Sequence, residues 1–89
     1  MQDEISPHIP MAQRIRSLLS QIEAQVDPVV VEQINGLLSV GEYRVAIENL
    51  CELLCEDAVV LHGSSRRELV SIAEALGLDE RYSKIIPSS

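Results

Sequence analysis

The 89-residue length suffices for one hydrophobic core and no more. Apolar residues make up 46% of the chain, yet only Tyr43 and Tyr82 carry aromatic rings, and such a Leu, Ile, Val and Ala inventory suits packed helices. The net charge of −7 excludes a nucleic-acid surface, which needs a basic patch to displace phosphate counterions. No apolar run exceeds four residues, Ala58 to Leu61 being one, whereas a membrane span requires roughly 20.

Residues 1–9 are polar and proline-punctuated and read as a loose arm, and Asp3 and Glu4 stand where a secretory signal would carry Lys or Arg. The expected compartment is therefore the cytoplasm. A first helix is predicted over 10–25, because Met11, Ile15, Leu18, Leu19, Ile22 and Val26 recur at the spacing of one helical face. Asp27 then offers a capping carboxylate, and Pro28 follows at the first helical position, where its missing N–H has no consequence. The second helix runs over 28–40 with Val30, Val31, Ile34, Leu37 and Leu38 on one broad face, and Gly41 closes it. Gly36 in its interior weakens it by roughly 1 kcal/mol relative to Ala. Either another helix approaches closely there or the glycine is simply tolerated.

The third helix is predicted over 42–56, with Tyr43, Ala46, Ile47, Leu50, Leu53 and Leu54 facing inward. The apolar connection from Ala58 to Gly63 is expected to pack down. Ser65 and Glu68 have the spacing of a capping box, which would start a fourth helix over 66–76 with Leu69, Ile72, Ala73 and Leu76 inside. Gly77 before Leu78 reads as its C-cap, and Asp79 caps a last turn over 80–85 that Pro87 ends. The expected fold is all-α: a single domain over 1–89, a small bundle of four helices plus a short C-terminal helical turn.

Cys51 and Cys55 fall one helical turn apart, with Cβ atoms about 5–6 Å from each other, wider than the roughly 3.5–4.5 Å that a disulfide needs. They read as reduced thiols packed as small hydrophobes. A metal site built from them with His8 or His62 lacks ligand spacing, so no metal and no cofactor is expected.

The negative charge is unevenly placed. Residues 1–22 and 58–89 are each neutral, while 23–57 hold eight acids against Arg44 alone. On the third helix Glu48, Glu52 and Glu56 recur every four residues as a ridge opposite the buried stripe, with Asp57 beside them. Like charges so spaced repel by a few tenths of a kcal/mol per pair, or roughly 0.2–0.5 kcal/mol, so the ridge works against its own helix. Val45 lies on the same outward side. An apolar residue among carboxylates suits the centre of a basic partner's footprint, although a solvated face of an acidic protein has the same composition.

Catalytic patterns are missing: no phosphate-binding glycine loop, H-E-x-x-H pair or G-x-S-x-G elbow occurs, and carboxylates on an open ridge lack the apolar pocket that tunes a general acid. The chain is not expected to be an enzyme. The stretch "GEYRVAIENLCELL" resembles the first helix of a tetratricopeptide repeat at Gly41, Tyr43 and Ala46, but no 34-residue repeat recurs. Gly63-Ser64-Ser65 resembles the helix-start serine of an acyl carrier protein, yet Arg66 and Arg67 follow where that family has a leucine and an acidic helix.

A third resemblance runs from Leu37 through Tyr82. The residues "LLSVGEYRVAIENLCELLCED", with Gly41, Glu42, Tyr43, Ala46, Glu48, Leu50, Cys51 and Leu54, and the later "AEALGLDERY", with Gly77, Leu78 and Tyr82, resemble the MafI family of immunity proteins of bacterial polymorphic toxin systems. The loop "VVLHGSSRREL" departs from that pattern in being more apolar and more basic. The resemblance implies a small acidic helical protein that neutralises the toxic C-terminal domain of a cognate secreted toxin, as in contact-dependent growth inhibition, the toxin being a nuclease with a basic substrate groove. Binding is then expected through Val45, Glu48, Glu52, Glu56 and Asp57, against a basic protein surface and without nucleic acid or membrane. The alternative is a helical adaptor built on a tetratricopeptide-like hairpin with no toxin partner.

Overall fold

The computed structural model describes residues 10–87, and the arm read at residues 1–9 lies outside them. The chain forms α1 (Met11–Ile22), a 3-10 turn (Glu23–Gln25), α2 (Pro28–Ser39), α3 (Tyr43–Glu56), α4 (Gly63–Ala75) and α5 (Glu80–Ile85). No strand occurs among the described residues, and the fold is an all-α bundle.

Local chemistry sets most of the helix boundaries. The Asp27 carboxylate accepts from the Val29 N–H at 2.9 Å and the Asp79 carboxylate from the Arg81 N–H at 2.9 Å. Each satisfies one of the donors that a helix start leaves unpaired. At the far end of α2, Gly41 adopts φ +78°, so that its N–H reaches Leu38 O at 3.1 Å and the Glu42 N–H reaches Leu37 O at 2.9 Å. Gly77 closes α4 in the same way, with φ +74° and bonds to Glu74 O and Ala73 O. The end of α3 repeats this bonding with Ala58 at φ +53°, where Val59 N–H donates to Leu54 O at 2.9 Å. A methyl group there opposes the left-handed backbone that the motif demands.

Two boundaries differ from expectation. The first helix does not run regularly to residue 25: it tightens after Ile22 into the 3-10 turn, which leads Val26 into the core. The fourth helix starts three residues earlier than the capping box placed it, with His62 as an N-cap that makes no side-chain bond. Ser65 is buried and donates its hydroxyl to Gln21 Oε1 at 3.1 Å, and Glu68 is taken by Arg14, so both capping groups are spent on contacts with α1.

The hairpin of α2 and α3 packs against the pair of α1 and α4, and α5 lies across α3. The contacts Arg14–Glu68 and Gln21–Ser65 run α1 and α4 in opposite directions. Ile15, Leu18, Leu19 and Ile22 of α1, Ile34 and Leu38 of α2, Leu69 and Ile72 of α4, and Tyr82 and Ile86 converge on Ala46, Ile47, Leu50 and Leu54 of α3. Each large aliphatic group so buried contributes about 1.5–3 kcal/mol relative to exposure, which makes α3 the hub of the bundle. Leu61 is buried, and Gln25 Nε2 holds the Val60 carbonyl at 3.0 Å, so the 58–63 connection packs down although Val60 itself is exposed.

Cys51 is buried and packs as a small hydrophobe, but Cys55 is exposed. The expectation that both pack is corrected: four residues advance 40° beyond a full turn, which carries Cys55 past the edge of the buried face. Gly36 is exposed and a Cβ there would meet nothing within 4 Å, so it is tolerated rather than required by packing. Among the described residues no helix is long and apolar enough to cross a membrane.

Candidate protein-binding surface

The face of α3 turned away from the core carries Val45, Asn49, Glu52 and Glu56, all exposed. Their positions recur at three or four residues, so the helix period that buries Ile47, Leu50 and Leu54 necessarily lines these four along the opposite side. Val45 is 39% exposed. Glu48 is half-buried and sits on the flank shared with Cys51, whose thiol it helps to raise, rather than in the middle of the exposed row. Asp57 is exposed at the C-cap of α3. Its carboxylate and that of Glu56 lie at the negative end of the helix dipole, and the last turn of α3 contains no basic residue.

The helix pairing adds residues that α3 alone does not reveal. Between α2 and α3 opens a cleft of about 160 Å³, lined by Val30, Gln33 and Ile34 on one side and Asn49, Glu52, Leu53 and Glu56 on the other. Glu52 and Glu56 thus stand on its rim, while Val30, Ile34 and Leu53 supply an apolar floor. Helical periodicity places Val30, Ile34 and Leu53 in the core, and no sequence pattern singles out Gln33 and Asn49. Their shared place becomes visible only once the two helices are set side by side.

Internal charge pairing leaves this face untouched. Among the described residues the ion pairs are Arg14–Glu68 and Lys84–Glu80, both at 3.2 Å, and neither involves residues 23–57. Arg81 on α5 feels Glu52 but is committed elsewhere. Its guanidinium donates to Tyr82 Oη at 3.1 Å and stacks 4.9 Å from the centre of that ring. Its pKa is raised, first by that hydrogen bond and only last by Glu52. Cys51 has its thiol pushed up to about 12, chiefly by burial and then by Glu52 and Glu48, so it stays protonated and unreactive at neutral pH.

Other concavities carry less chemistry. A wider depression of about 390 Å³ between the 3-10 turn and α2 is lined by Glu23, Ala24, Pro28 and Val31, a single carboxylate among apolar groups. Among the described residues no group of three or more His, Cys, Asp or Glu side chains is arranged to hold a metal ion. Compared with protein-family models, with curated proteins and with solved structures, the chain matches none.

Proposed function

We propose that this protein is an immunity protein that binds the toxic C-terminal domain of a cognate secreted bacterial toxin and neutralises it by occupying its basic groove. The observation that carries the reading is a helical face on which Glu52, Glu56 and Asp57 are exposed and form no internal ion pair among the described residues, flanked by half-buried Glu48 and with exposed Val45 at its N-terminal end. An acidic face of this kind raises the encounter rate with a cationic protein and favours complementary docking. The resemblance of residues 37–82 to MafI immunity proteins supports the same reading and suggests a nuclease as the toxin. Inhibition is steric and electrostatic, without turnover, and takes place in the cytoplasm of the toxin-producing cell, before the toxin leaves it or after it enters from a neighbour.

The test starts from the genomic neighbourhood, where the proposal expects a gene for a large secreted protein, and proceeds to co-expression with the C-terminal domain of that protein; absence of such a gene favours the adaptor. Growth rescue together with co-purification of the two chains is the expected result. Cells that die despite abundant immunity protein, with no complex recovered, would rule the function out and favour the adaptor.

A further inference from the structure

We propose that the cleft between α2 and α3 is a receptor for one arginine side chain presented by the protein partner, an inference that rests on reading the acidic face as a docking surface. The floor is apolar, from buried Ile34 and half-buried Val30 and Leu53, and the exposed rim carries Glu52, Glu56, Gln33 and Asn49. A volume of about 160 Å³ lies below the roughly 300–1,000 Å³ of small-molecule sites. A site of this size suits one side chain better than a whole small molecule.

Charge selects the occupant. Glu52 and Glu56 stand one turn apart, with Cβ atoms about 5–6 Å from each other, and neither forms an ion pair among the described residues, Arg81 on α5 being engaged with Tyr82. A cation seated between them relieves their mutual repulsion. Arginine fits better than lysine for two reasons. Its planar guanidinium offers five donors, enough to reach both carboxylates and the amide oxygens of Gln33 and Asn49, and it is only weakly hydrated, so it and its three-carbon stem can lie on Val30, Ile34 and Leu53. A lysine ammonium would have to shed a tight hydration shell over the same floor.

The probe is the peptide acetyl-Gly-Arg-Gly-amide, titrated into the full 15N-labelled chain and followed by amide chemical shifts. Saturable shifts at Val30, Gln33, Asn49 and Leu53 are expected, with none from the neutral citrulline peptide and binding weaker by about threefold or more for the lysine peptide. The Glu52→Gln/Glu56→Gln variant, checked for native helicity by circular dichroism, should lose about tenfold or more in affinity for the arginine peptide. Absence of shifts in the cleft, equal shifts from citrulline, or unchanged affinity in the double variant overturns the receptor, and equal lysine binding overturns the choice of arginine. The two readings fail separately. A toxin domain that binds the double variant as tightly as the native chain removes the receptor and leaves the function standing. A peptide that seats in the cleft while no toxin domain binds the protein does the reverse.

Discussion

Arg14 of α1 grips Glu68 of α4 side-on, Nε to Oε2 and Nη2 to Oε1 both at 3.2 Å, with a further contact from Nη2 to Ser71 Oγ at 3.3 Å. The pair clamps the start of α1 against the middle of α4 and withdraws Glu68 from any role as a helix cap. Its side chains are 24% and 38% exposed, so solvent screens part of the attraction, while the two-point geometry favours the upper end of what surface pairs contribute. A double-mutant cycle of Arg14→Met and Glu68→Gln should give a coupling of about 0.5–1 kcal/mol in urea denaturation, shrinking in 1 M salt. A coupling near zero would leave the antiparallel packing of α1 on α4 to apolar contacts and the Ser65–Gln21 hydrogen bond.

Ala58 is strained where Gly41 and Gly77 are not. Because all three helix ends share one bonding pattern, Ala58→Gly should stabilise the fold by about 1 kcal/mol through relief of the left-handed backbone. Gly36→Ala should add roughly 0.5–1 kcal/mol, since the new methyl meets nothing and helix propensity rises. Gly41→Ala should instead destabilise by about 1 kcal/mol or more. Urea midpoints at constant m-value check all three, and a destabilised Ala58→Gly would mean that its methyl group makes a contact worth more than the strain.

Cys55 and Cys51 should separate cleanly in alkylation, one equivalent of iodoacetamide reacting in the native state and the second only after unfolding. Burial, assisted by Glu52 and Glu48, raises the Cys51 thiol from 9.0 to about 12 in the folded chain. Above the unfolded value the unfolded state therefore holds fewer protons than the native one. The contribution of this group is fully present below pH 9 and is lost as the pH rises from about 9 toward 12, with a slope of up to about 1.4 kcal/mol per pH unit. The difference in stability between the native sequence and Cys51→Ala across that range isolates the effect from Tyr and Lys titration. A constant difference would show that Cys51 ionises freely.

What could be read from sequence alone follows from how far each cause reaches. The α1 stripe, the Asp27-Pro28 start, the glycine ends at 41 and 77 and the Asp79 cap depend on residues within a turn or two of one another, and all appear where expected. The start of α4 departs from the capping-box position because Ser65 bonds to Gln21, 44 positions away, and Glu68 to Arg14, 54 positions away. A local motif loses to tertiary partners that spacing does not reveal. The exposed row on α3 was legible from helical period, but Glu48 proved to be at its edge, and the cleft needs the register of α2 against α3, which no single-helix pattern contains.

The proposed function requires a cationic protein to dock on the α2–α3 face, and calorimetric titration with the cognate toxin domain measures that docking. The Glu48→Lys/Glu52→Lys/Glu56→Lys variant, confirmed as folded by circular dichroism, should lose about 3 kcal/mol or more of binding free energy, roughly 100-fold or more in affinity. A variant that binds as tightly as the native chain would contradict it and place the interface on another face of the bundle.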